Sequence, residues 1–261
     1  MNWLRVFFVG GLTSYRALFN WISPWVFVPH MIGYPVFEIL FFAYLGRFAE
    51  VQSDEWFLIG NAFMGIAVTG FFGMSAAIAG ERRSQTLLTL LASPANRLAL
   101  FLGRALPSIL TGVVVAALAF TICALILDVS FTAAELRGLV IAALACSFAC
   151  TAFGLCIGSL ALRGRNVTLF ADCVAGSMLL LSGANVPLED LPGWIQALSE
   201  ILPLTHGIQA GRQLADGGTY SDASGLLAAE VGIGTCYFVL GLAMLRFFEL
   251  QGRKAATLEA F

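Results

Sequence analysis

Apolar runs of membrane-crossing length recur along this whole chain, and no other feature restricts its possible folds as tightly. A hydrocarbon core about 30 Å thick is crossed by roughly 20 helical residues. Six segments approach or exceed that length: Pro24–Leu45, Trp56–Ala79, Leu106–Leu127, Leu139–Leu162, Val167–Gly183 and Leu226–Phe247. Composition agrees. Hydrophobic residues make up 59% and charged residues 11%, whereas soluble domains hold about 45–50% and 25%. The expected fold is an all-α integral membrane protein with six transmembrane helices, in one domain over residues 1–261. The fifth segment is short. A Pro-broken amphipathic stretch follows it, Pro187–His206, and is read as an outer element within 184–224 that re-enters the membrane.

Basic residues set the orientation. With the N-terminus inside, the inner segments hold Arg5, Arg16, Arg82, Arg83, Arg97, Arg104, Arg163, Arg165, Arg246, Arg253 and Lys254. The outer loops hold only Arg47, Arg137 and Arg212. Lys and Arg are retained on the cytoplasmic side, so both termini are expected to be cytoplasmic. Acidic residues lean outward: Glu50, Asp54, Glu55, Asp128, Glu135, Glu189, Asp190, Glu200, Asp216 and Asp222.

The first 21 residues do not read as a signal peptide, because Arg5 and Arg16 interrupt the apolar run and no small-residue cleavage site follows. At 100° per residue Asn2, Arg5, Thr13, Arg16 and Asn20 share one face, opposite Trp3, Leu4, Phe7, Phe8, Tyr15, Leu18 and Phe19. The pattern predicts an amphipathic helix in the inner interface. It serves either as an anchor or as a lever touching a cytosolic partner.

Several chemistries lack their residues. The only lysine is Lys254, and no GxxxxGK[ST] loop is available to cradle phosphates. There is no GxSxG and no HExxH, and His30 and His206 lie far apart. Cys123, Cys146, Cys150, Cys156, Cys173 and Cys236 all fall in apolar spans without CxxC spacing, so they read as small buried hydrophobes and not as a disulfide or zinc framework. Gly154 and Gly158 form a GxxxG in the fourth span, a signal for close helix approach.

Ionisable groups inside spans are candidate functional groups by default. Asp172 is about five residues into the fifth span, roughly 8 Å deep, within reach of interface water or of Arg163 and Arg165. Glu230 reads as similarly shallow on the outer side. Glu38 is deepest, and His30, Tyr34 and Glu38 share a face beside an expected kink at Pro35. Glu38 is either a protonated carboxyl bonded to a neighbouring helix or a group in proton coupling or substrate contact. On the second span Asn61, Gly65, Thr69, Phe72 and Ala76 form a stripe of small, polar and aromatic residues. It serves either helix packing or the lining of a substrate path.

Between the second and third spans lies Gly80–Arg104, GERRSQTLLTLLASPANRLALFLGR. Between the fifth and sixth lies Asn185–Arg212, NVPLEDLPGWIQALSEILPLTHGIQAGR. Together with six spans and inner termini, these stretches resemble permeases of the ABC-2 exporter family, in the branch exporting drugs, lipids and glycolipids. The resemblance covers nearly the whole chain. It implies that the chain forms a pore with a second permease, a copy or a paralogue, and has no ATP site or catalytic residue of its own. ATP and Mg would be bound by separate ATPase subunits, and an amphiphilic substrate would leave the cytoplasm or inner leaflet of a bacterial inner membrane. Nucleic acid has no place in this scheme.

The resemblance also implies residue roles. A short coupling helix in the loop 80–105 would receive the ATPase's motion through Glu81, Arg82, Arg83, Gln85, Thr86, Leu87, Leu90, Pro94 and Arg97. The path would run between the second and fifth spans, past Asn61, Gly65, Thr69, Phe72, Gly176, Leu179 and Gly183. Two other classes compete. One is a stand-alone proton-coupled secondary transporter using Glu38 and Asp172. The other is an intramembrane enzyme around His30, Tyr34 and Glu38. The charge pattern yields a direct expectation. A topology reporter fused after Asp222 reads outside and one after Lys254 reads inside; both on one side would defeat the six-span arrangement.

Overall fold

The computed structural model describes residues 29–83, 97–160 and 167–255, and among them no strand occurs. Helix α1 covers Tyr34–Ala49 and is entered through a π-type turn at Pro29–Gly33. It is followed by α2 at Asp54–Arg83, α3 at Arg97–Leu127, α4 at Ala133–Leu160 and α5 at Val167–Leu181. A 3-10 turn at Leu188–Asp190 then leads to α6 at Gly193–Ile201, α7 at Thr205–Ala215 and α8 at Tyr220–Ala255. Among the described residues four helices are long and apolar enough to cross a membrane: α2, α3, α4 and α8. Helix α5 has 15 residues, as its short apolar segment predicts. The expected interfacial helix, residues 1–21, lies outside the described residues, as does the start of the first span.

Helix ends depart from the apolar boundaries. Helix α2 continues past Ala79 to Arg83, and α3 begins at Arg97 with Pro107 inside it. Helix α8 extends from Tyr220 to Ala255. Hydropathy marks where a chain stops suiting lipid; a helix stops only where its hydrogen bonding stops. The expected kink at Pro35 takes another form. Pro35 sits in the first turn of α1, where its missing N–H has no intrahelical partner to lose. The π-type turn Pro29–Gly33 directly precedes the helix.

Helices α2 and α4 form the centre. Helix α4 packs against α2 on one side and α8 on the other, α2 also packs against α3 and α1, and α5 lies along α2. The reason is the small side chains of α4. Ala142, Ala145, Cys146, Ala149, Cys150 and Ala152 are all buried. Between helices in lipid, close van der Waals contact and hydrogen bonds replace the hydrophobic drive. A Cβ at Gly154 would lie 2.5 Å from the Cα of Phe71, and one at Gly158 would lie 3.2 Å from the Cα of Ser75. The Ser75 hydroxyl is 3.1 Å from the Gly154 carbonyl, to which it donates. The GxxxG of the fourth span is therefore the α2–α4 contact. Helices α3 and α8 instead expose Leu110, Val114, Leu118 and Leu125, and Val231, Val239, Leu240 and Phe247, the surface expected of helices facing lipid tails.

The acidic residues between the spans cluster at helix starts. Asp54 and Glu55 occupy the first turn of α2, Glu135 that of α4 and Asp222 that of α8. Thr132 N–H donates to Glu135 at 2.8 Å and Glu135 N–H to the Thr132 hydroxyl at 3.4 Å, a reciprocal capping box. Thr219 N–H donates to Asp222 at 3.1 Å. Asp54 also pairs with Arg47 across the α1–α2 turn. Carboxylates suit helix N-termini, and alternate spans of one chain start on the same side.

The α2–α4 contact sets a packing prediction. Gly154→Leu forces backbones apart at Phe71 and should cost about 3 kcal/mol or more, whereas Gly225→Ala, with nothing within 4 Å of the added Cβ, should cost little. Thermal unfolding of the two variants in detergent measures the difference; equal midpoints would refute the close contact.

Candidate functional site

Where α5 ends, the chain turns through Ser182–Pro187 against the start of α2. Gly183 has φ of +75°, a left-handed backbone that glycine adopts without a Cβ clash. The turn is held by Arg212, which reaches it from α7. Its guanidinium donates to the Gly183 carbonyl at 2.8 Å, to that of Ala184 at 3.1 Å and to that of Trp56 at 3.2 Å. It also stacks over the Trp56 ring, 3.5 Å from its centroid, a cation–π contact strengthened by desolvation. Burial lowers the Arg212 pKa to about 9 and Asp216 opposes the fall, so the group stays charged at neutral pH. Asn61 pins the same turn. Its amide donates to Asn185 at 2.9 Å and to the Phe57 carbonyl at 3.0 Å.

Helix α7 itself lodges among α2, α4 and α8. Gly211 allows contact with Phe63, whose ring would lie 2.8 Å from an added Cβ. At the N-terminal end of α7, Glu230 of α8 accepts from the N–H of Leu204 at 2.7 Å and of Gly207 at 3.0 Å. Glu230 is fully buried. Depth along its own helix suggests a shallow residue; burial beneath α7 makes it the most enclosed carboxyl described. Sequence reasoning named it only as shallow and gave it no partner, because its partners lie 26 and 23 positions away. The one sequence signal was an acidic residue in an apolar span.

The expected path residues meet different neighbours. Asn61, fully buried, joins the corner beside Gly183. Gly65 faces Pro35 of α1, with 3.7 Å to an added Cβ. Thr69 bonds back to the Gly65 carbonyl at 2.9 Å and lies against Gly112 of α3. Phe72 and Leu179 are half-buried against the central core. Gly176 is exposed with nothing within 4 Å of an added Cβ. Of the intramembrane carboxyls, Asp172 is exposed on α5, and Glu38 is half-buried with Oε2 unbonded. Tyr34 is half-exposed and His30 lies in the π-type turn.

Of the coupling residues, Gln85, Thr86, Leu87, Leu90 and Pro94 lie outside the described residues. Glu81, Arg82 and Arg83 form the last turn of α2, and Arg97 begins α3.

A family model for the ABC-2 type transporter matches residues 13–215, ending on the last residue of α7. The chain belongs to the ABC-2 type transporter family. The probable multidrug ABC transporter permease YbhR of Escherichia coli K12, and the protein of the same name from E. coli O157:H7, are each 27% identical to it over 161 residues. That stretch covers 61% of this chain and 44% of each relative, less than half their length. The matched region of this ABC-2 chain contains the Arg212 corner and the expected coupling segment; Glu230 lies beyond it.

His206 lies in the first turn of α7. Burial lowers its pKa below 6.5, partly opposed by Glu200. The folded state binds the proton less readily than the unfolded chain, so the stability contribution is present above pH 6.5 and is lost as pH falls through the folded pKa. The unfolding midpoint of wild type should therefore drop between pH 7 and 5 by more than that of His206→Gln. Parallel curves would show that His206 does not contribute.

Proposed function

We propose that this chain is the permease subunit of an ATP-driven exporter, with separate ATPase subunits supplying the energy and a second permease completing the pore. The family match over residues 13–215 carries the reading, joined to helices of membrane-crossing length. Helix lengths support a coupling role for the segment 80–105. Helix α2 has 30 residues and α3 has 31, about 45 Å each at 1.5 Å per residue. With their acid-rich ends outside, both would project about 15 Å beyond the hydrocarbon on the inner side. Glu81, Arg82, Arg83 and Arg97 stand on those projections, where an ATPase surface can meet them.

Surface composition supports a second permease. Helix α5 exposes Asp172, Cys173, Gly176 and Ser177 between Leu169, Phe170 and Leu180, a mixed small, polar and apolar face beside Leu179 and the buried corner. A path between two copies would use this face with Phe72 behind it. Its apolar and aromatic lining suits an amphiphile such as a drug, a lipid or a glycolipid. The multidrug description of YbhR points to the same class. The exporter would act in the bacterial inner membrane with both termini cytoplasmic.

Reversing Arg82 and Arg83 to Glu tests this. Loss of a buried pair costs roughly 3–5 kcal/mol and of an exposed pair about 1 or less. The expected result is a correctly inserted protein that no longer retains its ATPase on co-purification. If the reversed protein transports normally with no ATPase or ATP present, the chain is instead a secondary transporter, with Glu38 and Asp172 as its proton sites.

A further inference from the structure

The position of Glu230 assigns it a role in the transport step. We infer that Glu230 is a positioning residue that grips α7 and, through it, holds Arg212 on the corner between α2 and α5, so that α7 is a strut joining α8 to the outer end of the substrate path. The role in transport rests on the exporter reading above; the strut itself rests on geometry.

Three observations carry it. Both ends of α7 are gripped by charges that suit them. Glu230 bonds two N–H groups at the N-terminal end, and Arg212 stands in the last turn. A carboxylate at the start of a helix and a cation at its end each oppose the local partial charge. The second observation is the backbone of Leu204, which has φ of +99° without being glycine. Such a conformation persists only where its surroundings enforce it. Here the Leu204 N–H is held by Glu230 at 2.7 Å while its side chain is fully buried in the core. The third is the destination. The three carbonyls that Arg212 binds belong to α2 and to the turn after α5, the two elements assigned to the path. No other described charged side chain bonds that turn. Movement of α8 relative to α2 and α5 must therefore either carry α7 or break one of its grips.

The test reads the corner directly. In a background with Cys173→Ser and Cys236→Ser, a membrane-impermeant maleimide labels Val186→Cys, at the corner, or Ser221→Cys, an exposed reference at the start of α8. Glu230→Gln replaces one of the two acceptor oxygens with a donor, and Arg212→Lys removes the fork. Each should raise the rate at position 186 by about tenfold, the factor expected for loss of a charge-assisted hydrogen bond, and leave position 221 unchanged. Glu230→Asp, which keeps two acceptor oxygens, should recover part of the protection. The Glu230→Gln, Arg212→Lys double variant should add little to either single one, because both break one strut. Unchanged labelling at 186 overturns the inference. So does an equal rise at 186 and 221, which would mean only that the fold has loosened. So does full additivity of the two variants. The exporter reading is judged apart: it fails if, in the wild-type complex, ATP with Mg and vanadate leaves labelling at 186 unchanged, whatever the variants do at rest.

Discussion

The N-terminus of α7 presents backbone N–H groups that no earlier helical turn can satisfy, and it does so in a part of the bundle that water does not reach. An unpaired buried N–H costs on the order of 1–3 kcal/mol. The Glu230 carboxylate takes two of these groups, from Leu204 and Gly207. In return the helix end provides what a fully buried carboxylate requires, since an uncompensated charge there would be far more costly. Neither partner is tenable in that place alone. Because Leu204 also fills the core, the break between α6 and α7 is fixed in direction. The position of Arg212, about two turns further on, follows from it.

The rest of the bundle gives α7 room to lie where it does. Gly207 and Gly211 turn toward Cys146 of α4 and Phe63 of α2, and the small residues of α4 let α2 and α8 approach its two sides. This is a dense centre of Ala, Cys, Gly and Ser surrounded by larger side chains on α3 and α8. Its order comes from backbone proximity and from bonds such as Ser75 to Gly154, not from expelling water. The polar corner at Trp56, Asn61, Gly183 and Asn185 is the exception. Its bonds join segments far apart in sequence and close one end of the α2–α5 contact.

This arrangement divides the molecule by mechanical role. The α2–α4–α8 centre is tightly packed and suits a body that moves as a unit. The α5 face, with Gly176 open and Asp172 exposed, is less covered. Helices α2 and α3 run on past their apolar stretches, α2 to Arg83 and α3 from Arg97.

Much of this was legible in one dimension. Of the six spans that apolar length predicted, four are helices long and apolar enough to cross a membrane among the described residues, and the short α5 and the Pro-broken element after it were legible in the same way, because lipid imposes its thickness on any helix that crosses it. Thr132 with Glu135 and Thr219 with Asp222 announce helix starts, since capping partners sit three residues apart. GxxxG announced a close contact, though not that α2 would supply it. What the sequence could not disclose depends on partners distant along the chain. Asn61 and Asn185 are 124 positions apart, and Arg212 and Trp56 are 156 apart. A helical stripe says which residues share a face and nothing about what the face meets. Asn61, Gly65 and Thr69 share one, yet they meet α5, α1 and α3 in turn. Depth along a span likewise failed for Glu230, because burial is decided by whatever folds over a residue. The local chain determined helices, caps and thickness; only tertiary structure brought α7 over Glu230 and so turned a carboxyl near the end of a span into the support of the corner.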